Sequence, residues 1–202
     1  MSHLTGKYIF YAVILVLWPA FGPHSHASEE PGKISLFALS EDKEADTDIE
    51  LRRVNALIEN GVNNADIYYN RGWLYAEKGN TEKAKLDYSK AIELDNKHAD
   101  AYFNRGLILL KERSYIGAIK DFTKAIRLRP QMSDAYCSRG NAYFKTGKAL
   151  MALEDYNSAI EISKKDYELY QGRGIILRAL GKSKEAKADF KKAAELKRGA
   201  EK

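Results

Sequence analysis

Cysteine occurs once in the 202 residues, at Cys137, so no disulfide can form within the chain and stability has to come from packed apolar faces. Histidine is nearly as scarce: His3, His24 and His26 lie near the start, which leaves His98 alone in the remainder. Without a usable histidine, a second cysteine or a glycine-rich phosphate loop, nucleophilic and metal-dependent catalysis both lack their parts. His24 and His26 offer only two ligands in an irregular stretch, too few for a firm metal site. The expectation is no enzymatic activity, no cofactor and no metal. Apolar runs long enough to span a bilayer comfortably are also missing. The longest, residues 8–21 (YIFYAVILVLWPAF), has 14 residues, against the roughly 20 that a spanning helix prefers.

That run follows Lys7 and precedes Gly22, Pro23 and the small residues Ser25 and Ala27. A weakly basic start, a short apolar core and small residues before a cut after Ala27 are the layout of a secretory signal over residues 1–27. An uncleaved signal-anchor that tethers the chain to an inner membrane is the alternative. A chain that is exported yet has no disulfide suits a bacterial periplasm. Residues 28–46 are acidic, contain Pro31 and Gly32, and read as a linker; the apolar residues Ile34, Leu36, Phe37 and Leu39 within it could dock on the rest of the chain. Thr47 followed by Glu50 has the spacing of a capping box, so a single cap helix is expected over 47–61.

What is abundant is repetition. Glycines stand 34 residues apart at Gly72, Gly106, Gly140 and Gly174, each preceded by an arginine: Arg71, Arg105, Arg139 and Arg173. Tyr68, Tyr102, Tyr136 and Tyr170 keep the same period, as do an alanine column beginning at Ala84, another beginning at Ala91, and the aromatic column Tyr88, Phe122, Tyr156 and Phe190. A fixed period of this length marks a repeat architecture, in which function belongs to a surface shared among units. Within a unit, Tyr102, Phe103, Leu107 and Leu110, then Ala118, Phe122, Ala125 and Ile126, fall at helical spacing. Each unit is therefore two amphipathic helices. Glycine and alanine let backbones approach closely, and the aromatics fill the wedge beside them.

This pattern of columns resembles the tetratricopeptide repeat (TPR). The resemblance implies an all-α, right-handed superhelical solenoid with units at 65–98, 99–132, 133–166 and 167–200. Tyrosine replaces the family's first tryptophan in all four units, and the bend proline survives only as Pro130. The cap helix before unit 1 and the charge-rich last helix would then shield the two ends from water.

The net charge of +5 arises from basic and acidic residues that alternate along the second helices, which reads as a solvated face and not as a nucleic-acid surface. Asp87, Asp121, Asp155 and Asp189 each follow an arginine of the Arg-Gly column by 16 residues. Helical phase puts the two columns on facing helices, within a unit or across the joint to the next, so a structural Arg-Asp ladder is expected in preference to an anion-binding column.

In the resembling family the first helix of each unit lines a concave groove. Carried onto this chain, that implies a partner-binding surface of Tyr69, Asn70, Trp73, Phe103, Asn104, Leu107, Leu110, Asn141 and Phe144. Asparagine amides both donate and accept, so Asn70, Asn104 and Asn141 suit a peptide backbone while the large apolar residues take its side chains. Ser138 and Gly172 break the asparagine column in the later units. The family's carboxylate clamp is missing, since Tyr69 and Trp73 hold two of its places. Cys137 on the same face reads as a small apolar filler. The expected function is a non-catalytic scaffold that binds a peptide segment or partner protein. The alternative is a self-assembling module, with the groove covered by residues 34–39 or by a second copy.

Overall fold

The computed structural model describes residues 36–200, and all of these are helices and short turns. The signal or signal-anchor at 1–27, the His24 and His26 pair and residues 28–35 of the proposed linker lie outside the described residues. The helices are α1 (Leu36–Glu59), α2 (Ala65–Glu77), α3 (Thr81–Leu94), α4 (Ala99–Lys111), α5 (Tyr115–Leu128), α6 (Ser133–Lys145), α7 (Ala149–Ile162), α8 (Tyr167–Ala179) and α9 (Ser183–Ala200). After α1 they form four pairs: α2 with α3, α4 with α5, α6 with α7, and α8 with α9. Each first helix packs on the second helix of its own pair and on that of the pair before, which is the stacking of a solenoid.

The pairs close tightly because the glycine column leaves room for the aromatic column. A Cβ placed on Gly106 would lie 2.7 Å from the Phe122 ring, and one on Gly72 would lie 2.9 Å from Tyr88. Phe122, Ala84, Ala118 and Ala152 are wholly buried. Enclosing a ring the size of Phe122 contributes about 2 kcal/mol.

The chain reverses after every first helix by one device. The amide after each reversal residue bonds back across the last turn: Asn80 N to Tyr75 O at 2.8 Å, Ser114 N to Leu109 O at 2.8 Å, Lys148 N to Tyr143 O at 2.9 Å and Lys182 N to Leu177 O at 2.9 Å. This is the Schellman geometry, and it requires a left-handed residue at the reversal. Gly79, Gly147 and Gly181 supply it at φ 74–78°, while Arg113 adopts φ 61° without glycine's freedom. Starts are capped individually. Asn64 accepts from Ile67 N at 2.9 Å, Asn80 from Lys83 N at 3.1 Å, and the ring of His98 from Ala101 N at 3.1 Å.

The cap helix starts earlier than the Thr47 and Glu50 signal suggests. α1 begins at Leu36, so Leu36, Phe37 and Leu39 belong to its first turns and Thr47 lies in its interior. Nothing between Pro31-Gly32 and Gly61 breaks a helix, and that continuity outweighs a local capping signal. Its end is sharp. Gly61 turns at φ 88°, with Val62 N bonded to Leu57 O at 3.0 Å.

Candidate functional site

The polar columns lie between helices. In every pair the arginine forks onto the aspartate 16 residues later. Nε and Nη2 reach its two oxygens at 2.7 and 2.7 Å for Arg71 on Asp87, at 2.7 and 2.9 Å for Arg105 on Asp121, at 2.9 and 2.7 Å for Arg139 on Asp155, and at 2.7 and 2.8 Å for Arg173 on Asp189. The partner is therefore in the same unit. Nη1 turns the other way, into the preceding helix, and donates to Asn55 at 3.0 Å, Ser89 at 3.1 Å, Thr123 at 3.0 Å and Asn157 at 2.8 Å. These four residues form a further 34-residue column that the sequence reading missed. Its members share only a side-chain oxygen that can accept. Asn55 lies on α1, so α1 occupies the place of a second helix ahead of unit 1.

Each guanidinium also lies over the tyrosine one turn before it, from 5.4 Å for Arg71 on Tyr68 to 5.8 Å for Arg105 on Tyr102. The carboxylates are almost fully enclosed, Asp121 being 4% exposed. The bonds from Asp121 hold the Arg105 guanidinium above its ordinary pKa against the burial that lowers it. At Arg139 burial acts most strongly, downward, and Asp155 more than offsets it. Aspartate, tyrosine and the preceding helix thus surround each arginine on three sides.

The groove residues fall into three groups. Trp73, Leu107 and Asn141, each directly after a column glycine, are open to solvent, and Ile175 continues their row; Trp73 is 47%, Leu107 38% and Ile175 42% exposed. Asn70, Phe103, Asn104, Leu110 and Phe144 are half-buried. Phe103 leans on Phe122 with ring centres 5.9 Å apart, and Phe144 packs against the cluster around Tyr156. Tyr69 is buried. Its ring lies 4.6 Å from that of His98, and its hydroxyl accepts from Asn104 Nδ2 at 3.0 Å. Burial pushes the Tyr69 phenol up to about 12.

Farther along, Tyr156 donates its hydroxyl to Asn141 Oδ1 at 2.7 Å. The same ring explains Gly172: a Cβ there would collide with the edge and hydroxyl of Tyr156. Cys137 is half-buried, and burial pushes its thiol up, opposed by the Tyr156 hydroxyl. Among the described residues no three His, Cys, Asp or Glu side chains gather as a metal site, and no helix is long and apolar enough to cross a membrane.

Stacked helix pairs with a closed polar network between the helices and a row of exposed apolar side chains on the first helices define a helical repeat protein. Residues 65–98, 99–132, 133–166 and 167–199 each match the tetratricopeptide repeat, and the chain belongs to that family. Its members serve as scaffolds for protein–protein interaction. Similar solved structures include MamA, at TM-score 0.73 and 26% identity over 83% of this chain and 97% of that one. Another is YrrB, described as a TPR protein with an unusual peptide-binding site, at TM-score 0.65 and 28% identity over 72% of this chain and 75% of that one. MamA from Desulfovibrio magneticus RS-1 shares the fold at TM-score 0.73 and 21% identity, over 82% and 94% of the two chains. Among curated proteins none matches the chain.

Proposed function

We propose that the first-helix groove captures a peptide segment or a loop of a partner protein, and that the chain does so without catalysis. One observation carries this reading. The arginine column is surrounded by its own partners, whereas the groove leaves Trp73, Leu107 and Ile175 exposed beside Asn70, whose amide makes no hydrogen bond among the described residues. Exposed large apolar side chains at Trp73, Leu107 and Ile175, in a row with Asn141 and near the Asn70 amide, fit a ligand that brings both side chains and backbone. A peptide-binding site in the similar YrrB supports the same use of the fold. The expected setting is an exported one, the periplasm, with residues 8–21 as a cleaved signal or as a membrane tether.

The test is a pull-down from the native host with Trp73→Ala and Phe103→Ala combined. Loss of the captured partner while the array stays folded, at a lower melting temperature because Phe103 packs on Phe122, is the expected result; full retention sinks the proposal. Exposed Ile49 and Leu57 on α1 favour self-assembly as the second reading. Light scattering separates the two, because a monomer at every concentration rules out self-assembly.

A further inference from the structure

The groove does not account for the three most exposed large apolar side chains among the described residues. Ile116 is 84%, Leu86 69% and Leu150 65% exposed, and none of them is on a first helix. Ile116 is the second residue of α5 and Leu150 the second of α7, with exposed Met151 beside it. Helical side chains lean towards the start of their own helix, so Ile116 and Leu150 overhang the turns that lead into α5 and α7. Leu86 belongs to the same edge. Its neighbour on α3, Lys85, bonds across to Glu112 in the turn after α4 at 2.6 Å, which sets that level of α3 beside the unit 2 turn.

Because the pairs stack in register, the turns after the first helices fall along one edge of the array and the turns after the second helices along the other. The two edges differ in charge as well as in apolar exposure. Residues 111–116, 145–150 and 179–184 hold six basic side chains and one acid, Glu112, which is paired with Lys85. On the opposite edge residues 95–100, 129–134 and 163–168 hold four basic side chains and five acids. The basic edge also runs against helix stability. Lys148 is the N-cap of α7 and Arg113 stands just before the N-cap of α5, where the helix dipole disfavours a cation. Neither α5 nor α7 has an acid in its first turn, whereas α2, α4, α6 and α8 each have one. Exposed isoleucine and leucine beside cations at helix starts break two local rules at one place, as functional surfaces do.

We propose that this turn edge rests on a lipid bilayer with anionic headgroups. Ile116, Leu150 and Met151 enter the boundary between headgroups and acyl chains, while Arg113, Lys148, Lys182 and Lys184, all exposed, meet the headgroups. Apolar side chains flanked by Lys and Arg on one surface are what such an interface binds, the apolar groups by burial and the cations by attraction to the negative leaflet. A nucleic acid would engage the cations and leave Ile116 and Leu150 in water. The groove on the first helices stays open to a protein partner, so this proposal stands or falls apart from the groove reading.

The test is the fluorescence of the full chain carrying one environment-sensitive dye, at Ser183→Cys on the turn edge or at Gln131→Cys on the opposite edge, each with Cys137→Ser so that a single thiol reacts. The vesicles are phosphatidylcholine alone, or equal parts phosphatidylcholine and phosphatidylglycerol. The dye at 183 should move to a less polar environment with the anionic vesicles only, and the shift should vanish at about 0.5 M salt. The dye at 131 should not respond. Ile116→Ser with Leu150→Ser should weaken the vesicle midpoint about tenfold, roughly threefold for each partly inserted side chain. Lys148→Gln with Lys184→Gln should weaken it at least as much, at about fivefold per cation. All four side chains are exposed, so the circular-dichroism melt should stay put. A dye at 183 that remains in water, or that responds equally to both vesicle types, overturns the proposal. Equal response of the dyes at 183 and 131 also overturns it and assigns attachment to another part of the chain. So does unaltered binding by the Ile116→Ser, Leu150→Ser pair. Concentration-dependent pairing of the chain that the same two substitutions abolish overturns it in favour of a second copy as occupant.

Discussion

In the first two units the phenol that shapes the groove sits on a first helix; in the last two it sits on a second helix. Tyr69 of α2 is sunk beneath the surface and accepts from the Asn104 amide nitrogen, so the proposed capture of a ligand falls there to the Asn104 carbonyl. Tyr156 of α7 instead reaches up to the surface and donates to the Asn141 carbonyl, which leaves that amide's nitrogen as the open group. Its ring also takes the space above Gly172, so the fourth unit has no side chain in the amide column. The scaffold beneath the two halves is the same fork repeated, within 0.2 Å in its ion-pair bonds. Register and the proposed recognition are thus assigned to different residues, and the face of the first helices varies along its length while the fork beneath it does not.

The largest expected effect tests that separation. Arg105→Leu leaves the enclosed Asp121 without its fork and should cost about 3–5 kcal/mol in urea unfolding. Arg139→Leu, in the other half, should cost the same within about 1 kcal/mol, because Asp155 is held alike. Unchanged stability together with lost partner binding would defeat the structural reading of the column. Unequal costs would show that the two halves differ below the groove as well.

Next in size is an exchange within the amide column. Gly172→Asn drives a side chain into Tyr156 and should destabilise by about 1–3 kcal/mol. The reverse change in the front half, Asn70→Gly, meets no such contact and should cost only about 0.5 kcal/mol of helix propensity. Equal costs in thermal denaturation would mean that Tyr156 moves aside freely, and the contrast between the halves would be lost.

Cys137 reports on the rear half alone. Burial, the strongest influence on it, raises its thiol above the ordinary value, with the Tyr156 hydroxyl acting the other way. A raised pKa means less thiolate at pH 8, so alkylation should run slower than for a free cysteine and should accelerate as pH climbs through the shifted value. A ligand that occupies only the front half leaves this rate unchanged; one that spans the groove lowers it. If the alkylated chain still binds its partner, Cys137 is a filler.

How far the sequence reaches follows from the same contrast. Columns that repeat every 34 residues can be read directly, and the spacing of 16 between arginine and aspartate suffices to place them on facing helices. The Asn55, Ser89, Thr123 and Asn157 column has the same period, but four positions of mixed identity hide a shared acceptor. The Tyr69 and Asn104 bond spans 35 residues and the Tyr156 and Asn141 bond spans 15. Neither recurs in the other units, so no alignment of the repeats exposes them. Tyr69 was placed in the groove by register, yet its ring is drawn into the core against Tyr88 and His98, where its hydroxyl still finds a partner. The start of α1 escaped because a local capping pattern competes with a long stretch free of breakers.

The smallest effect concerns a second column that went unread. The reversal after each first helix is glycine in three units and Arg113 in the front half's second unit, at φ 61°. A residue with a Cβ in this left-handed region is strained by about 1–2 kcal/mol, while glycine there gives back part of the gain through the extra freedom of its unfolded chain. Arg113→Gly should therefore stabilise the array by about 0.5–1 kcal/mol, seen as a higher urea midpoint at constant slope. Arg113 is exposed and lies past the end of α4, away from the apolar row, so partner affinity should not change. A drop in affinity would instead place Arg113 within reach of the bound partner, and the comparison of the two halves would then have to include charge as well as hydrogen bonding.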